Sequence, residues 1–505
     1  MHGLHRSVLC CLIAFASFGC QRSGSSGNPI AIPTSIGASG DAPNGKLIVD
    51  GVLQTIDAPP ERPLYVLQAK LDYANGMIEA TQRIEFLNPT GQAISEIKFS
   101  VPPARRAGAV EFRDARIFGA KDPLPFELQN AILTVKLPAP LPADKAIAIA
   151  FTFILRVPLQ EQVTGIGGDD TSRGEYSLTA GHWYVVVAPF KDGQWDTPAY
   201  IPVGDPYSSE LADFEVEIIA PEGVIIAGGG DETRDGRLWK YELLKARVFA
   251  FAASDLYKVD SIEQDGVTYL HYAYPTHQKY SAAVLNTAAR AVKLFSQLYG
   301  AYPYKTFRIV ETGRQQGQEY SAMVGLGTAL YQNYKGSGSR HDLIATTVHE
   351  TSHQWWFNVV GNDQVRAAWL DESFARMAEL RFYQTYYDDD SDWWFQYFIV
   401  GRKPKGAIDL SLAEYADSTE YIEAVYQRGL LFLNDIRKKI GRDAFDEMLR
   451  DYYTAQQFKT TTQDAFFDAL ARHSDFDFGG LVKNYFAKPV RLPCKISNNE
   501  AGCRR

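Results

Sequence analysis

The stretch that decides the architecture runs from His341 to Asn358 and reads HDLIATTVHETSHQWWFN. Ile344, Val348 and Trp355 recur at helical spacing and predict a core-facing stripe on a helix over 341–358. His349, His353 and Trp356 form a neighbouring stripe, so both imidazoles lean inward. Within this helix His349-Glu350-Thr351-Ser352-His353 is an H-E-x-x-H motif. Positions i and i+4 of a helix share a face, so the two imidazoles can reach one zinc ion while Glu350 lies close enough to handle its water. Two inward imidazoles need polar partners, and a metal is a good one. The alternative is a polar helix face that binds nothing.

A catalytic zinc site takes three protein ligands and keeps a fourth position open. Eighteen residues separate His353 from Glu372, which sits in AAWLDESFARMAELRFY, a second predicted helix over 371–386 after the turn GNDQ. This pattern, with Glu372 inside W-L-x-E-x-F-A and with HQWW after the first motif, resembles the gluzincin aminopeptidases, the group of aminopeptidase N and leukotriene hydrolase. The resemblance implies that His349, His353 and Glu372 hold one zinc ion per chain and that Glu350 is the general base for a metal-activated water. It also implies an oxyanion donor, a Tyr ahead of a Lys-Gly pair. The local match is Val425-Tyr426-Gln427-Arg428-Gly429, with Arg428 in place of Lys, which favours Tyr426 over Tyr421. Glu379, seven residues after Glu372 on the same helix face, is either an outer partner of a zinc-bound His or a surface carboxylate.

The family reads its substrate's free amine with a Glu in a G-A-M-E-N strand, and this chain offers two placements. Gly317-Gln318-Glu319-Tyr320 keeps the Glu, whereas Ser321-Ala322-Met323-Val324-Gly325 keeps Ala-Met and loses it. The first is preferred, making Glu319 the amine-binding residue and Gly317 a point where the strand backbone can approach a peptide.

Around this centre the chain is expected to be multidomain. Runs such as LYVLQAKLDYA, AIAIAFTFILRV and DFEVEIIAP, separated by turn residues, predict an N-terminal antiparallel β-sandwich over 46–258. In that region His182, beside Trp183, reads as a hydrogen-bonded core residue. The resemblance implies a thermolysin-like α+β zinc domain over 259–405. There SAAVLNTAARAVKLFSQLYG is a helix stopping at Gly300, and FRIVE is a strand. Helix patterns fill 406–490, one of them capped by Thr461 with Asp464 as partner, and a tail follows over 491–505.

Residues 1–20 read as a signal peptide, with an apolar run from Val8 to Phe18 too short to span a bilayer. Cys20 after Ser17-Phe18-Gly19 resembles a lipoprotein cleavage box, and the Gly/Ser/Pro-rich residues 21–45 a flexible linker. The expected location is therefore the cell envelope, as a lipoprotein of the bacterial periplasm or outer membrane, or else the medium by secretion. Membrane contact is expected only through a lipid on Cys20. In an oxidising compartment Cys494 and Cys503 either bridge or remain idle thiols. With 51 Lys+Arg against 60 Asp+Glu and no long basic run, nucleic-acid binding is excluded from the expected partners. The leading reading is a zinc aminopeptidase acting on peptides. Two others stay open: a zinc endopeptidase or other zinc hydrolase without free-amine specificity, and a non-catalytic peptide-binding surface lipoprotein.

Overall fold

Leu64–Asp72 alternates buried and half-buried side chains along most of its length, as a strand packed mainly on one face must. It pairs antiparallel with Met77–Leu87 in the middle of a seven-stranded sheet. The computed structural model describes residues 60–160, 170–207, 209–498 and 502–504, with short pieces at 48–49, 52–53, 55–56 and 166–167. The expected signal peptide with Cys20 and the linker over 21–45 lie outside the described residues.

A four-stranded sheet of Val186–Val187, Ile94–Ser100, Ile132–Leu141 and Phe126–Gln129 shares a core with the seven-stranded one. Leu67, Ile149 and Phe151 from the larger sheet meet Ile97, Phe99 and Leu133 from the smaller. The sandwich departs from the antiparallel expectation at one central pair, because Ala212–Ile219 runs parallel to Leu64–Asp72. The long stretch of chain between them supplies the crossover that a parallel pair needs. His182 is buried and hydrogen-bonded to Asp170, as a core histidine should be.

The next sheet carries the site. Its order is Lys258–Gln264, Val267–Ala273, Thr306–Thr312, Met323–Gly327, Gln318–Tyr320. The three inner strands are parallel and each outer strand is antiparallel to its neighbour. The Gly-rich segment thus makes two strands joined at Ser321-Ala322, with Ala322 in the left-handed region (φ 59°) and Gln318–Tyr320 at the sheet's edge. Helix Ser281–Leu298 ends just before Gly300, and its Val284, Ala288, Val292 and Phe295 share a core with Ile344, Val348 and Trp355.

The motif helix is shorter than its pattern suggests, spanning Asp342–Ser352 rather than 341–358. Trp355, Trp356 and Phe357 are consecutive and all buried. Side chains a hundred degrees apart on a helix cannot all point one way. The chain instead turns after Ser352, whose carbonyl accepts from both Trp355 N and Trp356 N. Trp355 Nε1 then reaches the Gly300 carbonyl at 2.7 Å. The second helix, Trp369–Tyr386, packs against the first. Farther on, Gln463–His473 is capped by Thr462, which accepts from Ala465 N, and not by Thr461 with Asp464. Thr461 is buried and takes a hydrogen bond from Tyr452 instead. Among the described residues no helix is long and apolar enough to cross a membrane. Cys494 and Cys503 form a disulfide.

Candidate metal centre

The site starts from the two histidines and what fixes their rings. His353 Nδ1 lies 3.0 Å from the Trp356 carbonyl, which can only accept, so that nitrogen carries the hydrogen. His349 Nδ1 donates likewise to Glu379 Oε1 at 2.7 Å. Both Nε2 atoms are therefore left as lone-pair donors to a cation, and they stand 3.2 Å apart. Glu372 Oε2 completes the group, 3.1 Å from His349 Nε2 and 3.5 Å from His353 Nε2. All three residues are buried. Three acceptors converging in a dry place repel one another unless positive charge sits among them, and His₂Glu is a donor set that suits zinc with one position open. The same carboxylates favour positive charge on the imidazoles, a charge that a metal supplies in place of the Nε2 proton. Burial works against charge on the His349 imidazole, yet its hydrogen bonds to Glu372 and Glu379 outweigh that and lift it to about 9. Burial likewise opposes charge on Glu372, but the two histidines hold its carboxyl well below the usual range.

Glu379 is fully buried, and it also accepts from Arg376 at 2.7 Å and from Trp394 Nε1 at 3.1 Å. Its surface alternative is thereby excluded. It orients the His349 ring, the usual part of a carboxylate behind a metal-binding histidine.

Glu350 is buried, and its Oε2 has no hydrogen-bond partner among the described residues. Gly317 lies against it. A Cβ at 317 would stand 2.5 Å from Glu350 Cδ and 2.7 Å from Cγ, with Oε1 nearer still. The glycine expected to admit a peptide backbone is thus already occupied on that side by the Glu350 carboxylate. Glu319, on the edge strand, is buried beside Glu350 and His353, with one ligand atom of each within 4.8 Å of the others. Of the two placements, the first brings a carboxylate here. Met323 and Val324 of the second lie on the inner strand, with Val324 opposite Glu319 in register.

Asp205 also borders the site, without a motif to mark it. It follows strand Val203–Gly204, is buried, and accepts from Gln318 Nε2 at 3.0 Å. The same Gln318 nitrogen donates to Glu319 Oε2 at 3.0 Å, so one amide ties the two carboxylates together. Burial pushes Asp205 and Glu319 above the usual carboxylate range; at Asp205 the facing Glu319 and Glu372 add to it, while His353 opposes it at Glu319. Only the short turn VGDP marks Asp205 in the sequence, and nothing there links it to residues more than a hundred positions away.

Tyr426 donates a short hydrogen bond to Glu372 Oε1, and its ring stacks on that of His349 at 5.6 Å. Its backbone lies in a π-helical stretch, Ile422–Arg428, between α-helical Ser418–Tyr421 and Gly429–Ile440. Such wide turns often reposition a functional side chain. Ser373, next to Glu372, donates to the Val425 carbonyl at 2.7 Å. A Cβ at Gly429 would lie 2.7 Å from Ser373 Cβ. The glycine of the Tyr-Gln-Arg-Gly pattern is therefore what lets the two helices touch. Tyr421 packs edge-on against Tyr426 with ring centres 5.7 Å apart, its hydroxyl 2.7 Å from where a Cβ on Gly204 would be.

Residues 284–485 match the peptidase family M1 domain. Over these residues the chain carries the domain of the gluzincin aminopeptidases. Aminopeptidase N of Lactobacillus helveticus is 25% identical to this chain over 270 residues, 49% of the chain and 31% of that protein. The alanine/arginine aminopeptidase of Saccharomyces cerevisiae is 24% identical over 270 residues, 48% of the chain and 30% of the relative. The match thus spans about a third of the length of these relatives. An M1 zinc metallopeptidase from Deinococcus radiodurans superimposes with a TM-score of 0.63 at 15% identity, over 86% of this chain and 97% of that one. At that identity the likeness is one of fold.

Proposed function

We propose that the chain is a zinc-dependent aminopeptidase, hydrolysing the first peptide bond of peptides with a free N-terminus. The observation that carries this reading is the convergence of His349 Nε2, His353 Nε2 and Glu372 Oε2, with Glu350 and Glu319 against the same histidines. Zinc held by those three ligands supplies Lewis acidity and an acidified water. Glu350, with an oxygen unpaired by the protein, takes a proton from the attacking water and returns it to the leaving amine. Tyr426, beside Glu372, turns its hydroxyl towards the developing oxyanion. Glu319 pairs with the substrate ammonium, which is expensive to bury alone. A binding scaffold has no use for a buried, unpaired base, which argues against the non-catalytic alternative.

A panel of fluorogenic aminoacyl and N-acetylated peptides tests this. The wild type should cleave free-amine substrates and ignore blocked ones. Glu319→Ala should lower kcat/KM for free amines roughly thirtyfold or more, the effect of losing a charge-assisted contact of about 2 kcal/mol. Equal cleavage of blocked and free peptides by the wild type would leave a zinc hydrolase of another specificity.

The reading extends to place. The apolar run Val8–Phe18 and Cys20 support export and a lipid anchor in the bacterial cell envelope. The Cys494–Cys503 bridge supports an oxidising compartment.

A further inference from the structure

We propose that Ser209 is a nucleophilic serine, activated by His182 and Asp170, that accepts a short acyl group from an ester. None of the three residues is a metal ligand or the general base. His182 Nδ1 lies 2.8 Å from Asp170 Oδ2, and on its other side His182 Nε2 lies 3.2 Å from Ser209 Oγ. With the Nδ1 hydrogen on the carboxylate, Nε2 is the acceptor that a serine hydroxyl needs in order to lose its proton.

The pair is held in place from several directions. Asp170 also accepts from His182 N at 3.0 Å and from the Tyr207 hydroxyl at 3.2 Å. Tyr207 stacks on the imidazole with ring centres 3.8 Å apart. A Cβ at Gly181 would stand 2.8 Å from that of Asp170, with its carboxylate nearer, so only glycine seats the acid beside the histidine. Burial opposes charge on Asp170, but the neighbouring His182 and its hydrogen bonds prevail and pull the carboxyl down to about 2. The acid is therefore ionised at neutral pH and ready to stabilise an imidazolium.

A histidine serving only the core has no need to face open space. Here His182 and the half-buried Ser209 both line a partly open cavity of about 40 Å³, with Pro102, Ile132, Val186 and Pro206 among its walls. That volume has room for about three water-sized groups, the size of an acetyl. Asp196 and Thr197 line it too, so the wall is mixed, and its size together with its proline, isoleucine and valine side chains suits a short acyl chain and not a peptide.

In the step, Ser209 Oγ bonds to the acyl carbon while its proton passes to His182 Nε2. The ester C–O bond then breaks, and the departing alcohol takes the proton from His182. Water hydrolyses the acyl-serine with His182 again as base, releasing a carboxylic acid and restoring the serine.

The test is to incubate the full chain with p-nitrophenyl acetate, quench, and locate acetyl groups by peptide mass spectrometry. Ser209 should be acetylated at least ~100-fold faster than other exposed serines in the same digest, a comparison that needs no variant. His182→Gln should slow it by a similar factor, and Ser209→Ala should abolish the p-nitrophenolate burst while leaving the melting curve unchanged. Acetyl groups confined to lysines and tyrosines, or Ser209 reacting no faster than its fellow serines, would overturn the proposal.

Discussion

Gly317→Ala adds a single methyl group, yet its consequence for the metal centre is large. The new Cβ would stand 2.5 Å from Glu350 Cδ, where ordinary contact begins at about 3.4 Å. Glu350 or the strand must therefore move by about 1 Å. Gly317 has no left-handed backbone that would strain an alanine, so the effect is one of space alone. If Glu350 yields, the base retreats from the proton it should take, and a misplacement of that size costs about a hundredfold in turnover, roughly 2.7 kcal/mol. The metal ligands are not touched, so bound zinc should stay at one per chain and KM should change little. If the edge strand yields instead, Glu319 moves with it, and KM for free-amine peptides should rise. The assay is steady-state kinetics on an aminoacyl fluorogenic substrate, with zinc measured on the same preparation. A folded, zinc-loaded Gly317→Ala protein within about threefold of wild-type kcat/KM would show that this glycine does not make room for the working carboxylate.

Three shorter predictions accompany it. His353→Ala should remove most of the bound zinc, measured by elemental analysis, because a site left with one His and one Glu is no longer a three-ligand site; undiminished zinc would move the centre elsewhere. Tyr426→Phe should lower kcat by about two to three orders of magnitude with little change in KM, while Tyr421→Phe, whose hydroxyl faces Gly204, should cost far less; the reverse order would exchange their roles. Cys20→Ala should shift the protein from the membrane fraction to the soluble one, and a wild type already soluble without detergent would refute the anchor.

What the sequence makes legible here is local. His349, Glu350 and His353 lie within one turn and a half of helix, so spacing alone puts them on one side. Glu372 and Glu379 are two turns apart on a second helix, and their common face follows from the same arithmetic. The sandwich shows in its alternation, except at the parallel pair between Leu64–Asp72 and Ala212–Ile219, because a strand's own pattern does not say which neighbour it takes. The helix pattern runs past the helix's end at Ser352 because its apolar stripe continues through Trp355, and the run Trp355-Trp356-Phe357 beyond that end reads as more of the same stripe. Asp205 is hidden for a different reason. It reaches the site through Gln318, 113 residues on, and no periodicity connects the two. The π-helical turn that carries Tyr426 leaves no mark in composition, although the glycine that lets the following helix meet Ser373 does.

That glycine belongs to a group whose sense emerges only when the elements are together. Gly204 faces Tyr421, Gly317 faces Glu350 and Gly429 faces Ser373 beside Glu372. They lie on separate stretches of chain, and each leaves out the one Cβ that would hold a wall of the site away from its centre. Ligand geometry must be kept to a fraction of an ångström for a metal and a base to act together, and a side chain seated directly against backbone has fewer ways to shift than side chains meeting tip to tip. The metal motif therefore accounts for which atoms meet, and the glycines for how closely they are held. A substitution at any of the three should leave the H-E-x-x-H pattern intact and still damage the chemistry, which is why the motif alone is a weaker statement about activity than the motif in its packing.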